Sequence, residues 1–256
     1  MGKRIVSYNV NGIRAALDKG LVKWIKSNNP DIVCIQETKA QPEQINQKEF
    51  ENLGYHSFWF SAQKKGYSGV GILSKQVPDY VKYGMDIAKY DFEGRFIRAD
   101  YGDVSVISVY HPSGSAGDER QAFKMQWLSD FTNYIKELEK TRKKLIISGD
   151  YNICRLWIDI HSPERQEGLS GFLPEEREWF QQFIDLGFVD TFRHINTKPD
   201  QYSWWSYRAG ARQKNKGWRI DYHIVTENLK NLVNNAGIHP EAVHSDHCPV
   251  SLEIAM

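Results

Sequence analysis

The chain has 256 residues, with 33 Lys and Arg against 32 Asp and Glu, a formal charge of +1, 41% hydrophobic residues and 25% charged ones. That balance belongs to a globular protein with a sizeable core and excludes disordered and fibrous classes. No apolar run approaches the roughly 18–20 residues needed to span a bilayer, so no membrane association is expected.

From the first residues, Met1-Gly2-Lys3-Arg4 leads directly into an apolar run over 5–10, which reads as a strand and lacks the features of a secretory signal. Helical spacing follows over 17–27, then a strand over 32–36 and a second helical stretch over 42–53. The scattered glycines of 66–71 lack nucleotide-loop spacing and read as a turn before a strand at 70–74. Runs at 96–101 and 104–110 flank Tyr101-Gly102-Asp103-Val104, a tight hairpin. A helix over 119–141, a strand over 145–148 and a helix over 174–186 come next; the last opens with Pro-Glu-Glu and stops at Gly187. Strands at 220–226 and 249–254 complete the series.

Strands alternating with helices and hairpins, without a linker or repeat, imply a single α/β domain over 1–256. Its expected form is a four-layered α/β/β/α sandwich of two packed sheets. Cys34, Cys154 and Cys248 are odd in number and contain no CxxC pair, which points to a reducing compartment and a cytoplasmic location. No long exposed heptad suggests a dimer, so a monomer is expected.

Polar residues gather where apolar runs end. Asn9 and Asn11 follow the first run, Glu37 the second, and Asp150 and Asn152 the run at 145–148. Asp221 begins another, and Asp246 and His247 precede the last. One such carboxylate is usually a turn or a cap. Five such places suggest convergence, and converging carboxylates call for a cation. Oxygen donors without a Cys/His set favour Mg2+ or Mn2+ over zinc. Asp150 and Asn152 alternate, so in extended chain both face one side. His247 needs a carboxylate partner to fix its tautomer; Asp221 is the candidate, since Asp246, adjacent in sequence, points elsewhere.

Asn9-Val10-Asn11-Gly12-Ile13-Arg14, Gln36-Glu37-Thr38-Lys39, Tyr110-His111-Pro112, Gly149-Asp150-Tyr151-Asn152, Trp218-Arg219-Ile220-Asp221-Tyr222 and Ser245-Asp246-His247 occur in that order. Together they resemble the exonuclease III family of abasic-site endonucleases, within the endonuclease/exonuclease/phosphatase superfamily. Each motif alone is weak; the ordered set, covering nearly the whole chain, is specific. The resemblance implies a deoxyribonuclease I-like fold with mixed sheets and a Mg2+-dependent DNA repair phosphodiesterase. Such an enzyme cuts 5′ to abasic sites, leaving a 3′-hydroxyl, and also has 3′→5′ exonuclease and 3′-phosphatase activity. Its partner is duplex DNA with an abasic site or a 3′ end.

By the same resemblance Glu37 is the main metal ligand, with Asn11 and Asp246 as direct or water-mediated ligands. Asp150 handles the nucleophilic water or the leaving-group proton, and Asn152 holds the phosphate or that water. His247, oriented by Asp221, bonds a phosphate oxygen or acts as base; Tyr110 contacts the phosphate or assists as phenolate. Lys39 adds positive charge near the phosphate. Trp204 and Trp218 are the expected pocket walls and Arg208 the DNA contact beside the lesion. They lie in a stretch whose residues 208–219 hold five cations and no acid. The chain departs from the family pattern at Arg155-Leu156-Trp157, beside the expected catalytic acid, and at Ser113, where some relatives carry Asn. Alternatives are a superfamily hydrolase acting on RNA or a phospholipid head group, and a catalytically silent binder of abasic DNA.

Overall fold

The structure, a computed structural model, describes residues 2–256. Strand β1 (Gly2–Asn9) is buried from Ile5 onward and leads into helices α1 (Ile13–Asp18) and α2 (Leu21–Asn28). The single helix expected over 17–27 is split at Gly20, whose φ of 95° leaves the right-handed helical region. After β2 (Ile32–Gln36), the helix expected over 42–53 reduces to a 3-10 turn (Pro42–Gln44) and the one-turn α3 (Lys48–Glu51). Ile45 between them is extended and ends the first turn.

Next come β3 (His56–Phe60), β4 (Val70–Ser74), β5 (Tyr80–Tyr83), α4 (Ala88–Asp91) and the hairpin of β6 (Phe96–Tyr101) with β7 (Val104–Tyr110). The long α5 (Asp118–Thr141) precedes β8 (Lys144–Asp150), α6 (Pro163–Gln166) and α7 (Pro174–Asp185). The chain closes through β9 (Phe188–Asp190), α8 (Thr191–Ile195), β10 (Asp221–Thr226), β11 (Val233–Ile238) and β12 (Val250–Ala255).

Two six-stranded sheets result, ordered β11-β12-β1-β2-β4-β3 and β5-β6-β7-β8-β10-β9. Each has one parallel pair at its centre, β1 with β2 and β7 with β8, and antiparallel pairs elsewhere. A parallel pair needs a crossover, which α1–α2 supply in one sheet and α5 in the other. Side chains alternate across β1, so Ile5 enters the core between the sheets while Val6 and Tyr8 pack under α1 and α2 with Ile13 and Ile25. Ile146 likewise joins the inter-sheet core, and Leu145 and Ile147 pack with Trp127, Phe131 and Phe180 of α5 and α7. The four layers are therefore helix, sheet, sheet, helix. No helix among the described residues is long and apolar enough to cross a membrane.

The stacking brings the carboxyl ends of both parallel pairs to one end of the sandwich. Asn9, the last residue of β1, reaches across the sheets to Asp150, the last of β8, at 2.8 Å. Ligand sites in open α/β sheets form at such ends.

Candidate active site

Register places three polar residues abreast in the second sheet: Tyr110 pairs with Asp150 across β7–β8, and Asp150 with Asp221 across β8–β10. Gly149 permits this packing, because a Cβ there would lie 1.9 Å from the Val109 carbonyl oxygen. His247, on the chain entering β12, donates from Nδ1 to Asp221 Oδ2 at 2.9 Å, and its Nε2 lies 3.8 Å from Asp150 Oδ2. Ser203 fixes Asp221 from behind: its hydroxyl donates to Oδ2 at 2.6 Å and accepts from the Asp221 N–H.

Charge follows from this geometry. Burial alone would lower the His247 pKa, but Asp221 and Asp150 outweigh it and push it up to about 10. Asp150 is pushed upward by burial, aided by Asp221 and Glu37 and opposed by His247. Burial and the Glu37 carboxylate hold the Tyr110 phenol well above its ordinary range, against the pull of Arg95, whose guanidinium lies 4.7 Å from the ring centre. This environment favours the neutral phenol form of Tyr110.

Glu37 lies on the first-sheet side. Its carboxylate accepts from Asn9 at 3.0 Å and pairs with Lys39 at 2.8 Å. Burial would raise its pKa, but Lys39 and Asn9 prevail and lower it. Lys39 also donates to Asn11 Oδ1, and Asn11 donates to Asp246 Oδ1 at 2.9 Å. Asp246 turns from His247 as expected, its other oxygen accepting from Trp204 Nε1 at 3.1 Å. Asn11, Glu37, Lys39 and Asn152 all have positive φ, between 45° and 51°. Non-glycine residues held there are strained and need support from their surroundings, a pattern that clusters at functional sites. One oxygen or nitrogen from each of Glu37, Asp150 and His247 falls within 4.8 Å of the other two.

Glu37, Tyr110, Asn152, Asp246 and His247 line a cleft of about 240 Å3, walled by Trp204, Trp218 and Gly171. The two indoles meet edge to face at 5.9 Å. Lys39, partly exposed, pairs with Glu37 and Asn11 at the edge of the cleft that Glu37 lines. The cation-rich stretch is divided: Arg208, Lys214 and Lys216 are exposed, whereas Arg212 and Arg219 turn inward. Arg219 is buried against Asp159 and Asp190, at 2.7 Å from each. The unusual Arg155 also turns inward, to Asp190 at 3.2 Å. Trp157 stays at the surface, edge-on to Phe172. Ser113 lines the cleft.

Asn9 and Ser203 are the members that sequence reasoning gave no role. Asn9 stands inside Asn9-Val10-Asn11 and could have been found there; nothing marks Ser203 except its place beside Trp204.

Two packed mixed sheets with an acid–imidazole cluster at their carboxyl ends define a deoxyribonuclease I-like phosphodiester hydrolase. The sequence profile of the endonuclease/exonuclease/phosphatase family matches residues 6–247, and the chain belongs to that family, in its exonuclease III branch. An exodeoxyribonuclease of Bacillus subtilis is 44% identical, over 98% of this chain and 99% of that protein. A DNA-(apurinic or apyrimidinic site) endonuclease of Dictyostelium discoideum is 36% identical, over 98% of this chain and 70% of that protein. The solved structure of a 3′ phosphatase, NExo, from Neisseria, bound to a product DNA hairpin, superposes with a TM-score of 0.92 at 29% identity, covering 99% of this chain and 100% of that one.

Proposed function

We propose that this nuclease incises duplex DNA on the 5′ side of abasic sites in a Mg2+- or Mn2+-dependent reaction. It leaves a 3′-hydroxyl and a 5′-deoxyribose phosphate, and it also trims nucleotides or phosphate from 3′ ends. The observation that carries this reading is the meeting of Glu37, Asp150 and the Asp221–His247 pair beneath two tryptophans. The abasic-site endonuclease and 3′ phosphatase named among its relatives support the same substrate.

The donors fit a hard divalent cation. Glu37, Asn11 and Asp246 offer oxygens, and the Lys39 ammonium already rests against two of them, so the local field accepts positive charge. Such an ion, when bound, neutralises charge on the attacked phosphate. Among the protein groups, the raised His247 remains an imidazolium at neutral pH and donates to a nonbridging phosphate oxygen. Asp150, the carboxylate beside it, takes the proton from the attacking water as the P–O3′ bond breaks, and the departing 3′ oxygen takes a proton from solvent to become the 3′-hydroxyl. Asn152 donates Nδ2 to the His111 carbonyl at 2.9 Å, which turns its own oxygen toward that water. The Tyr110 phenol donates to the phosphate. Trp204 and Trp218 pack against the sugar that lacks a base, and Arg208 binds a neighbouring phosphate.

End-labelled DNA carrying one abasic analogue, incubated with and without EDTA, tests the reading. One cut on the 5′ side, abolished by EDTA, is expected. Faster cleavage of RNA or of an inositol phosphate under the same conditions would replace it with another phosphodiesterase activity, and lesion binding without any product would leave a silent binder.

A further inference from the structure

Two loops line the same cleft as His247: the segment after β8, which carries Asn152, and the turn Ser170-Gly171-Phe172-Leu173 before α7. Behind both lies an ion pair with no exposed side-chain surface, Lys124 of α5 and Glu176 of α7, at 2.6 Å. Lys124 Nζ also donates to the Asn152 carbonyl at 2.8 Å. Glu176 Oε2 accepts the backbone N–H groups of Gly171 at 2.6 Å and Leu173 at 3.1 Å, and Oε1 accepts from Gln121 at 3.0 Å. Gln121 in turn accepts from the Ser170 hydroxyl at 2.8 Å. The loops also bond each other, Cys154 N–H to the Gly171 carbonyl, at 2.7 Å.

A glutamate at the third position of a helix ordinarily caps its own first turn, and the Leu173 bond is of that kind. The Lys124 and Gly171 bonds go beyond capping. Nor does joining α5 to α7 require charge, because burying an ion pair costs about what its attraction returns and an apolar pair packs helices as well. What an apolar pair cannot do is hold a carbonyl on one loop and N–H groups on the other. Asn152 has φ 50°, a conformation a non-glycine residue holds only with support from its surroundings, so its loop depends on outside contacts. A Cβ at Gly171 would sit 3.1 Å from both the Asn152 carbonyl oxygen and the Trp218 ring, so the two walls are closely fitted.

We propose that Lys124 and Glu176 are positioning residues that, by bracing the Asn152 loop against the Gly171 turn, fix the Asn152 amide where the transition state requires it. The proposal rests on the function given above and adds residues that act through Asn152 without touching substrate.

The test is Lys124→Met/Glu176→Gln, which removes charge at similar volume, made alone and on an Asn152→Ala background. Misplacing a catalytic group by about 1 Å costs about 100-fold in rate. A folded double variant is therefore expected to lose about that much kcat on abasic duplex, with affinity measured in EDTA little changed. Combined with Asn152→Ala it should lose no more than Asn152→Ala alone, because residues acting as one unit are not additive. Hydrogen exchange should quicken in 150–154 and 170–173 while the centres of α5 and α7 stay protected. A lowered melting temperature with unchanged kcat, or losses that multiply on the Asn152→Ala background, would overturn the proposal. Should the double variant not fold, Glu176→Gln alone is judged by the same readouts. If the wild type leaves abasic DNA uncut, the proposed function fails; exchange still decides the clamp, unaltered rates in both loops overturning it.

Discussion

His247 and His223 are both enclosed in the same sandwich, and burial acts on both in the same direction, against charge. They end at opposite extremes. His223 lies between the sheets, 2.7 Å from the Ser148 hydroxyl and 3.1 Å from the Val250 carbonyl oxygen, and burial lowers its pKa to about 4. His247 lies at the end of the sandwich, where Asp221 and Asp150 raise it to about 10 despite equal burial. The interior expels charge by default, so it is the convergence of carboxylates that distinguishes a chemical site from a core histidine.

Removing the charged side of the comparison should have the largest effect. His247→Ala and Asp150→Asn are each expected to lower kcat on abasic duplex by about 1,000-fold, the middle of the range for proton-handling groups. Binding to the same DNA is expected to persist, because Arg208, Trp204 and Trp218 keep the proposed contacts to a neighbouring phosphate and the sugar when the single His247 bond is lost. Single-turnover kinetics with an affinity measurement in EDTA checks both; near-wild-type turnover in either folded variant would remove that residue from the chemistry.

The neutral side yields a smaller effect, on stability. The folded pKa of His223 lies below the unfolded value of about 6.5, so protons bind the unfolded chain preferentially between pH 6.5 and 4. Its contribution is fully present above pH 6.5 and is lost as pH falls, the loss reaching about 3 kcal/mol at pH 4. For His247 the sign reverses: its stabilisation is present below pH 6.5 and is lost as pH rises toward 10. Melting of chelator-treated protein across pH 4–7 should show a shallower acid decline in His223→Gln than in the wild type. Parallel curves would mean that His223 does not set that limb.

How much of this was legible in the sequence divides by position in the sheets. The central strands are continuous apolar runs, and β2, β4, β6 and β7 have the bounds their sequences predict. The four strands that sequence reasoning missed, β3, β5, β9 and β11, are the four sheet edges. Edge strands give weak signals: β5 has no buried residue, β11 has only Ala236, and β9, though buried throughout, is only three residues long. The acids and His247 were visible because they interrupt or end apolar runs. Their supports were not, since Ser203, Lys124 and Glu176 act through register and helix packing that no local pattern encodes. The left-handed backbone of Glu37 and Lys39 was equally hidden, as neither residue type favours it.

The cation-rich stretch extends the same contrast to the surface, with the smallest expected effect. Five cations between 208 and 219 look alike in sequence, but two are structural. Arg212 caps the carbonyls of Ser245 and Ala242 with its guanidinium over Trp205, and Arg219 serves Asp159 and Asp190. Only cations that displace counterions contribute to the salt dependence of DNA binding, about 0.9 in the log–log slope for each phosphate neutralised. Arg208→Ala/Lys214→Ala should therefore reduce that slope by about 2, with modestly weaker binding at fixed salt. Arg212→Ala should leave the slope intact and lower the melting temperature instead, because its loss frees buried carbonyls without freeing a phosphate. Were the slopes of the two variants to change alike, the inward and outward cations would share one role, and the division drawn from their partners would be wrong.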